Sequence, residues 1–148
     1  MFIKTRKKAN VSEFIPKNPQ KYVGRYPILI RSSWERLFAQ WLDVNEGIKE
    51  WSSENIQIHY HDPVQMKTRR YWPDFFIKNR ENKRYLIEIK PSRDTFAPKK
   101  RGNMTLNQKI YREQVYLTNQ AKFKAAEDYC RKAGMEFCIL TEKELFGK

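Results

Sequence analysis

Two carboxylates and a lysine stand in a pattern that can do chemistry. Glu88 and Lys90 flank one residue in Leu86-Ile-Glu88-Ile-Lys90, and Asp74 follows Pro73 a short way upstream. On a strand, Glu88 and Lys90 project from one face with Cα atoms about 6.6 Å apart, while Ile87 and Ile89 turn toward a core. Asp74 opens the preceding strand, with Phe75 and Ile77 on the alternate face. Antiparallel pairing of these two strands can bring Asp74 and Glu88 together at one sheet end. Converging carboxylates repel and lose hydration unless a cation neutralises them. Their hard oxygens select Mg²⁺ or Mn²⁺ over zinc. Lys90 cannot ligate while charged, but it can hold a water or a phosphate oxygen and stabilise developing negative charge. Phosphodiester hydrolysis is the chemistry this set suits. The same residues also read as a cross-strand ion pair at a solvent edge, since Glu-x-Lys is common on strands. Glu35 favours the metal reading, because it borders the apolar face of a helix and can lean over the sheet. Its other reading is a first-turn acid complementing the helix dipole.

Further residues could serve such a site. Arg31 can clamp a phosphate or simply belong to a basic segment, and Glu54 can ligate, orient or cap. Arg69 and Arg70 precede the Asp74 strand and can contact a nucleic-acid backbone. His59 and His61 have no third His or Cys at ligand spacing and read as strand-edge residues. Tyr111 and Tyr116 can stack on bases, though packing on a helix face is the simpler role. There is no Gly-rich phosphate loop and no nucleophile elbow.

The charge of the chain supports a polyanionic ligand. The 148 residues carry 30 Lys+Arg against 17 Asp+Glu, a net +13. Residues 1–31 hold eight basic side chains and one acidic, and residues 78–101 hold nine and three. Concentration of the excess into two segments points to nucleic acid rather than to general solubility. Within the second segment, Arg93, Lys99, Lys100 and Arg101 are candidate DNA contacts. Apolar runs are only a few residues long, which excludes a membrane-spanning helix, and no signal-peptide stretch opens the chain. Cys130 and Cys138 form no disulfide framework and point to the core of a protein in a reducing compartment.

These side chains need elements to hold them. Residues 1–30 show no helical or strand period and read as an extended basic arm ahead of a domain at 31–148. Ser32 or Ser33 caps a helix in which Trp34, Leu37, Phe38, Trp41 and Leu42 repeat at helical spacing, ended by Asn45 to Gly47. Glu54–Tyr60 alternates as a strand, residues 61–68 form a loop, and Tyr71–Lys78 with Arg84–Lys90 form a hairpin around Asn79–Lys83. After a polar loop, residues 105–133 are helical. Leu106, Ile110 and Leu117 form one stripe, Phe123, Ala126, Cys130 and Ala133 another, with a break near Thr118-Asn119. Gly134 is the C-cap, Phe137–Leu140 a buried strand, and Thr141 to Glu144 a capping box. The expectation is one α/β domain, a sheet flanked by helices.

Arg31-Ser-Ser-Trp-Glu35, Trp51-Ser-Ser-Glu54, Arg70-Tyr-Trp-Pro-Asp74-Phe and Leu86-Ile-Glu88-Ile-Lys90-Pro together resemble the PD-(D/E)xK nuclease superfamily. More closely they resemble its TnsA-like branch and the head-completion nucleases of T-even-type tailed phages. The phage resemblance extends through Phe14-Ile-Pro-Lys-Asn-Pro-Gln-Lys-Tyr22, Asn119-Gln-Ala-Lys-Phe-Lys-Ala-Ala126 and Phe137-Cys-Ile-Leu-Thr-Glu142. It implies a restriction-endonuclease-like domain with a central mixed sheet, and Mg²⁺- or Mn²⁺-dependent cleavage of double-stranded DNA. It matches Glu35, Asp74, Glu88 and Lys90 to catalytic positions. Asp74, Glu88 and the Ile89 carbonyl would be metal ligands, with Glu35 completing or orienting the set. The phage setting implies action in the host cytoplasm and in virions being finished, with portal or neck proteins as partners and no membrane. Two rival expectations remain: a non-catalytic DNA-binding virion protein on a nuclease fold, and a TnsA-like transposition or repair endonuclease.

Overall fold

The computed structural model describes residues 11–99 and 102–147. Lys100 and Arg101, two of the expected DNA contacts, lie outside them.

Helix α1 spans Ser33–Val44, and the Ser32 hydroxyl caps it by accepting from the Glu35 N–H at 3.1 Å. Phe38, Ala39 and Leu42 are buried, whereas Leu37 and Trp41 of the expected stripe stay exposed. Its C-terminal end is closed by residues that lie far back in the chain. Lys21 Nζ donates to the carbonyls of Leu42, Asp43 and Asn45 at 2.6, 3.0 and 2.7 Å. The buried Asp43 carboxylate accepts the backbone N–H groups of Lys17 and Asn18 at 2.7 and 3.0 Å. These contacts satisfy carbonyls that a helix terminus leaves unpaired.

The segment expected to be an extended arm therefore differs over its described part. Strands β1 (Ser12–Phe14) and β2 (Ile28–Ile30) pair antiparallel, Phe14 opposite Ile28. Phe14, Tyr22, Ile28 and Ile30 are buried against Trp51 and Phe75. Strands of three residues are too short to display a period, which is why the pattern did not announce them.

The central sheet has the order β3-β6-β7-β8. Its strands are β3 (Ile48–Ser53), β6 (Phe75–Asn79), β7 (Arg84–Ile89) and β8 (Glu136–Leu140). The first three are antiparallel neighbours and β8 joins β7 in parallel, so the sheet is mixed. A parallel neighbour requires a crossover, which is helix α2, Leu106–Ala133, ended by Gly134 in the left-handed conformation at φ 70°. The expected break at Thr118-Asn119 is absent, and Asn119 is buried. The first turns of α2 stand clear of the core, so Leu106, Ile110 and Leu117 are exposed rather than a packed stripe, and Tyr111 is 60 % exposed. Helix α3, Glu142–Phe146, opens with the expected capping box of Thr141 and Glu144.

Two strands, β4 (Ile58–Asp62) and β5 (Lys67–Tyr71), form a separate antiparallel ribbon between β3 and β6. The expected strand Glu54–Tyr60 overlaps β4 at Ile58–Tyr60, whereas the expected loop covers the turn and most of β5, and the expected strand Tyr71–Lys78 takes in only the last residue of β5 before continuing into β6. Trp72-Pro73-Asp74 separates them, because a proline contributes no N–H to a ladder. One apolar layer joins α1, β1 and β2 to the sheet face bearing Phe75, Ile77, Ile87 and Ile89. The other joins the ribbon and α2 to the face bearing Leu86 and Phe76.

Candidate active site

Glu88 occupies a β7 position on the α2 side of the sheet, while Ile87 and Ile89 fill the α1 side. The antiparallel register sets Phe75 opposite Ile87, so one step further Asp74 stands opposite Glu88. A direct bond secures this: the Ile89 N–H donates to Asp74 Oδ2 at 2.7 Å. The Asp74 carbonyl accepts from the Glu54 N–H at 3.0 Å, which ties the end of β3 to the same point. Glu54 has a left-handed backbone, φ 45°, a conformation that non-glycine residues adopt at tight turns.

The expected residues meet at this sheet end, with different partners. Glu88 is 6 % exposed. Its Oε1 accepts from the Tyr71 hydroxyl at 2.7 Å, and its Oε2 lies 3.7 Å from Lys90 Nζ. Glu35 reaches over from α1, with Oε1 3.3 Å from the Arg31 backbone N–H. That bond ties Glu35 to the residue ahead of the Ser32 cap, and Glu35 also feels the charges of Glu54 and Glu88. Arg31 spans back to Glu54, its Nε 3.1 and 3.0 Å from the two carboxylate oxygens.

Electrostatics set this corner apart. Burial, then the charges of Glu88 and Glu35, push the Asp74 carboxyl well above the usual range, against the Ile89 N–H and Lys90. Burial also raises Glu35 and Glu88; for Glu88 the opposing influences are Lys90, the Tyr71 hydroxyl and Lys122. Glu88 thus acts on both Asp74 and Glu35, and is itself raised by burial, where an isolated surface carboxylate would ionise freely. Among the described residues no three His, Cys, Asp or Glu side chains converge as they stand on a single ion position. Glu54 is turned to Arg31 and one Glu88 oxygen is taken by Tyr71.

The remaining candidates spread outward. Arg69 is held by Asp62 and Gln65, at 3.8 and 2.5 Å. The exposed Arg70 lies over Trp72, with 5.8 Å from its guanidinium carbon to the ring centre. Arg93 is exposed beside Asp94, and Lys99 is exposed. Tyr71 and Lys122 were missed by the sequence reading. Tyr71 lies in the Arg70-Tyr-Trp-Pro-Asp74 motif, where its spacing from Asp74 signals nothing without the ribbon. Lys122 sits over the Tyr60 and Tyr71 rings at 5.8 and 5.6 Å. Its signal was a helical spacing shared with buried Asn119, Phe123 and Ala126, which marks it as facing inward.

A helix, three antiparallel strands, a crossover helix and a parallel strand, with acids gathered where β6 begins and β7 ends, define a restriction-endonuclease-like nuclease. The chain belongs to the TnsA-like endonuclease family, whose N-terminal domain description matches residues 45–142. It is 38 % identical over 137 residues to the head completion nuclease of Enterobacteria phage T4, covering 90 % of this chain and 91 % of that protein. No solved structure matches the chain. The protein is accordingly a DNA endonuclease. No helix among the described residues is long and apolar enough to cross a membrane.

Proposed function

We propose that this endonuclease cleaves double-stranded DNA with a divalent cation, Mg²⁺ or Mn²⁺, and acts in phage head completion as the T4 protein's name describes for that relative. The observations that carry the cation are the meeting of Asp74 and Glu88 where β6 begins and β7 ends, secured by the Ile89 N–H, and the elevation of Asp74 by burial and by the charges of Glu88 and Glu35 in spite of Lys90. An all-oxygen set of this kind fits a hard divalent ion and not zinc. Asp74, Glu88 and the Ile89 carbonyl would hold it, with Glu35 completing or orienting the set. The bound ion supplies Lewis-acid polarisation of the phosphate and a more acidic water.

The chain's own residues do the rest. Lys90, on the same strand face as Glu88, holds the attacking water or a phosphate oxygen and offsets the negative charge that builds on phosphorus. The Ile89 N–H bond keeps Asp74 in place, so its second oxygen is available for the ion. Arg31, Arg69, Arg70, Arg93 and Lys99, with Lys100 and Arg101, contact the DNA, chiefly through its backbone. Portal or neck proteins of the maturing head are the expected partners, in the cytoplasm of the infected host.

Cleavage of plasmid and linear duplex in EDTA, Mg²⁺ and Mn²⁺ tests this reading, with Asp74→Ala beside the wild type. The expected result is metal-dependent cleavage that Asp74→Ala or Lys90→Ala loses while DNA binding survives. Normal cleavage by either variant would sink the site assignment, and cleavage unaffected by EDTA would sink the metal.

A further inference from the structure

We propose that the outward face of the β4–β5 ribbon enters the major groove of the duplex and reads base edges close to the cleaved phosphate. The inference rests on the duplex-DNA reading above and adds to it an element that recognises sequence.

The ribbon is two-sided. Ile58, Tyr60 and Tyr71 are buried against Leu86, Ala126 and Cys130, which fixes the inner face on α2 and the sheet. The register places His59 opposite Arg70 and His61 opposite Thr68, and all four side chains are exposed on the other face. The ribbon pairs with no strand of the central sheet, so this face is not consumed by the fold.

Charge complementarity identifies the occupant. Residues 58–71 contain Lys67, Arg69 and Arg70 and one acid, Asp62. Asp62 is buried at 4 % exposure and accepts the N–H groups of Val64 and Gln65 at 2.8 and 3.2 Å. The outward face therefore presents no carboxylate to repel a phosphate backbone. The two arginines also differ. Arg69 is engaged by Asp62 and Gln65 on the inner side, whereas Arg70 has no acidic partner among the described residues and is supported only by the Trp72 ring. An arginine braced by an aromatic ring, with two histidines and a threonine, is a set of side chains that pairs with base edges; arginine in particular takes both acceptors of guanine. A two-stranded ribbon is also narrow enough for a major groove about 12 Å wide.

Distance along the chain places the contact. Arg70 is four residues before Asp74, at most about 14 Å of extended backbone. At about 3.4 Å per base step, that is within about four base pairs of the bond that the Asp74 site cuts. The ribbon is anchored at this end by Tyr71, whose hydroxyl holds Glu88, so a shift of the ribbon in the groove is felt at the acids.

The test uses the full chain and a duplex library randomised over one segment. Cleavage positions are sequenced for the wild type, Arg70→Ala and Arg70→Lys. In a second arm, Asp74→Ala protein with and without Arg70→Ala is used to select bound sequences from the same library without cutting. The expected result is about a tenfold or greater guanine preference at one position within four base pairs of the cut, falling to within about twofold in both Arg70 variants. Lysine keeps the charge but not the paired donors, so it should restore binding without restoring the preference. No preference in the wild type, or a uniform loss that lysine repairs, would overturn base reading and leave a backbone contact. Failure of the wild type to cut speaks against the nuclease assignment alone, because the selection arm still decides the ribbon.

Discussion

Replacing Tyr71 by Phe removes one oxygen from the candidate site and little else. The Tyr71 ring is buried among Ile58, Tyr60 and Ala126, and phenylalanine retains that packing. What disappears is the 2.7 Å bond to Glu88 Oε1, between two groups that are each 6 % exposed. A hydrogen bond to a charged group contributes about 1.5–3 kcal/mol. At about 1.36 kcal/mol per factor of ten, the loss corresponds to about 10- to 150-fold. The bond leaves Glu88 Oε2 as the oxygen directed to Lys90 and the proposed ion, so the loss should fall on cation use. The assay is initial cleavage rate against Mg²⁺ concentration for both proteins, with thermal melting alongside. Tyr71→Phe should need at least tenfold more Mg²⁺ for half-maximal rate and recover much of the wild-type rate at saturation. A merely structural role predicts a lowered melting temperature and a loss that added metal does not repair. An unchanged metal titration would refute the reasoning, because the hydroxyl would then do nothing for Glu88.

Other perturbations test the supports of the site. Lys21→Met removes the donor shared by three carbonyls at the end of α1, and denaturant unfolding should show a loss of about 1–3 kcal/mol. The Ser92 hydroxyl and N–H hold the Glu142 carboxyl at about 2 against an ordinary 4.5. Because the folded value is the lower one, this contribution is full above about pH 4.5 and disappears as pH falls toward 2. Melting curves of wild type and Glu142→Gln should therefore differ at pH 6 and draw together as pH falls from about 4.5 toward 2; a constant gap would contradict the assignment. Burial raises the Cys130 thiol to about 11, so iodoacetamide at pH 8 should modify Cys138, which is only partly buried, well before Cys130 in the native protein.

Local chemistry announced some parts of this structure well. The Ser32 cap, the Gly134 C-cap and the Thr141–Glu144 box depend on neighbouring residues, and all three appear as their sequence implies. The hairpin from β6 to β7 was legible for the same reason, since Ile87 and Ile89 alternate with Glu88 and Lys90 around a polar turn. Contacts between distant segments were not legible. Strand β3 carries Trp51, fully buried, yet Ile48 to Ser53 is apolar on no regular alternation and gave no strand signal, whereas the clearer period of Ile58 and Tyr60 belongs to β4. The ribbon was hidden because its outer face is polar and its second strand is basic, which reads as loop. In the site, Asp74 and Glu88 could be brought together on paper by strand pairing. Tyr71 could not, because its place beside Glu88 follows from the ribbon's packing on α2. One basic residue of that early stretch has a role inside the fold that composition could not show, since Lys21 bonds the carbonyls at the end of α1.

The parallel pairing of β8 with β7 has a consequence during synthesis. Glu88 and Ile89 stand opposite Ile139 and Leu140, and the Lys90 N–H donates to the Leu140 carbonyl. Until residues 136–140 leave the ribosome, the strand that carries Glu-x-Lys is the open border of a three-stranded sheet, with one side of its backbone unpaired. The acids and the lysine are therefore translated early and assembled late. A nascent chain that has released Glu88 and Lys90 but not residues 136–140 therefore carries the candidate site residues before it has the parallel strand that closes the second edge of the strand bearing them.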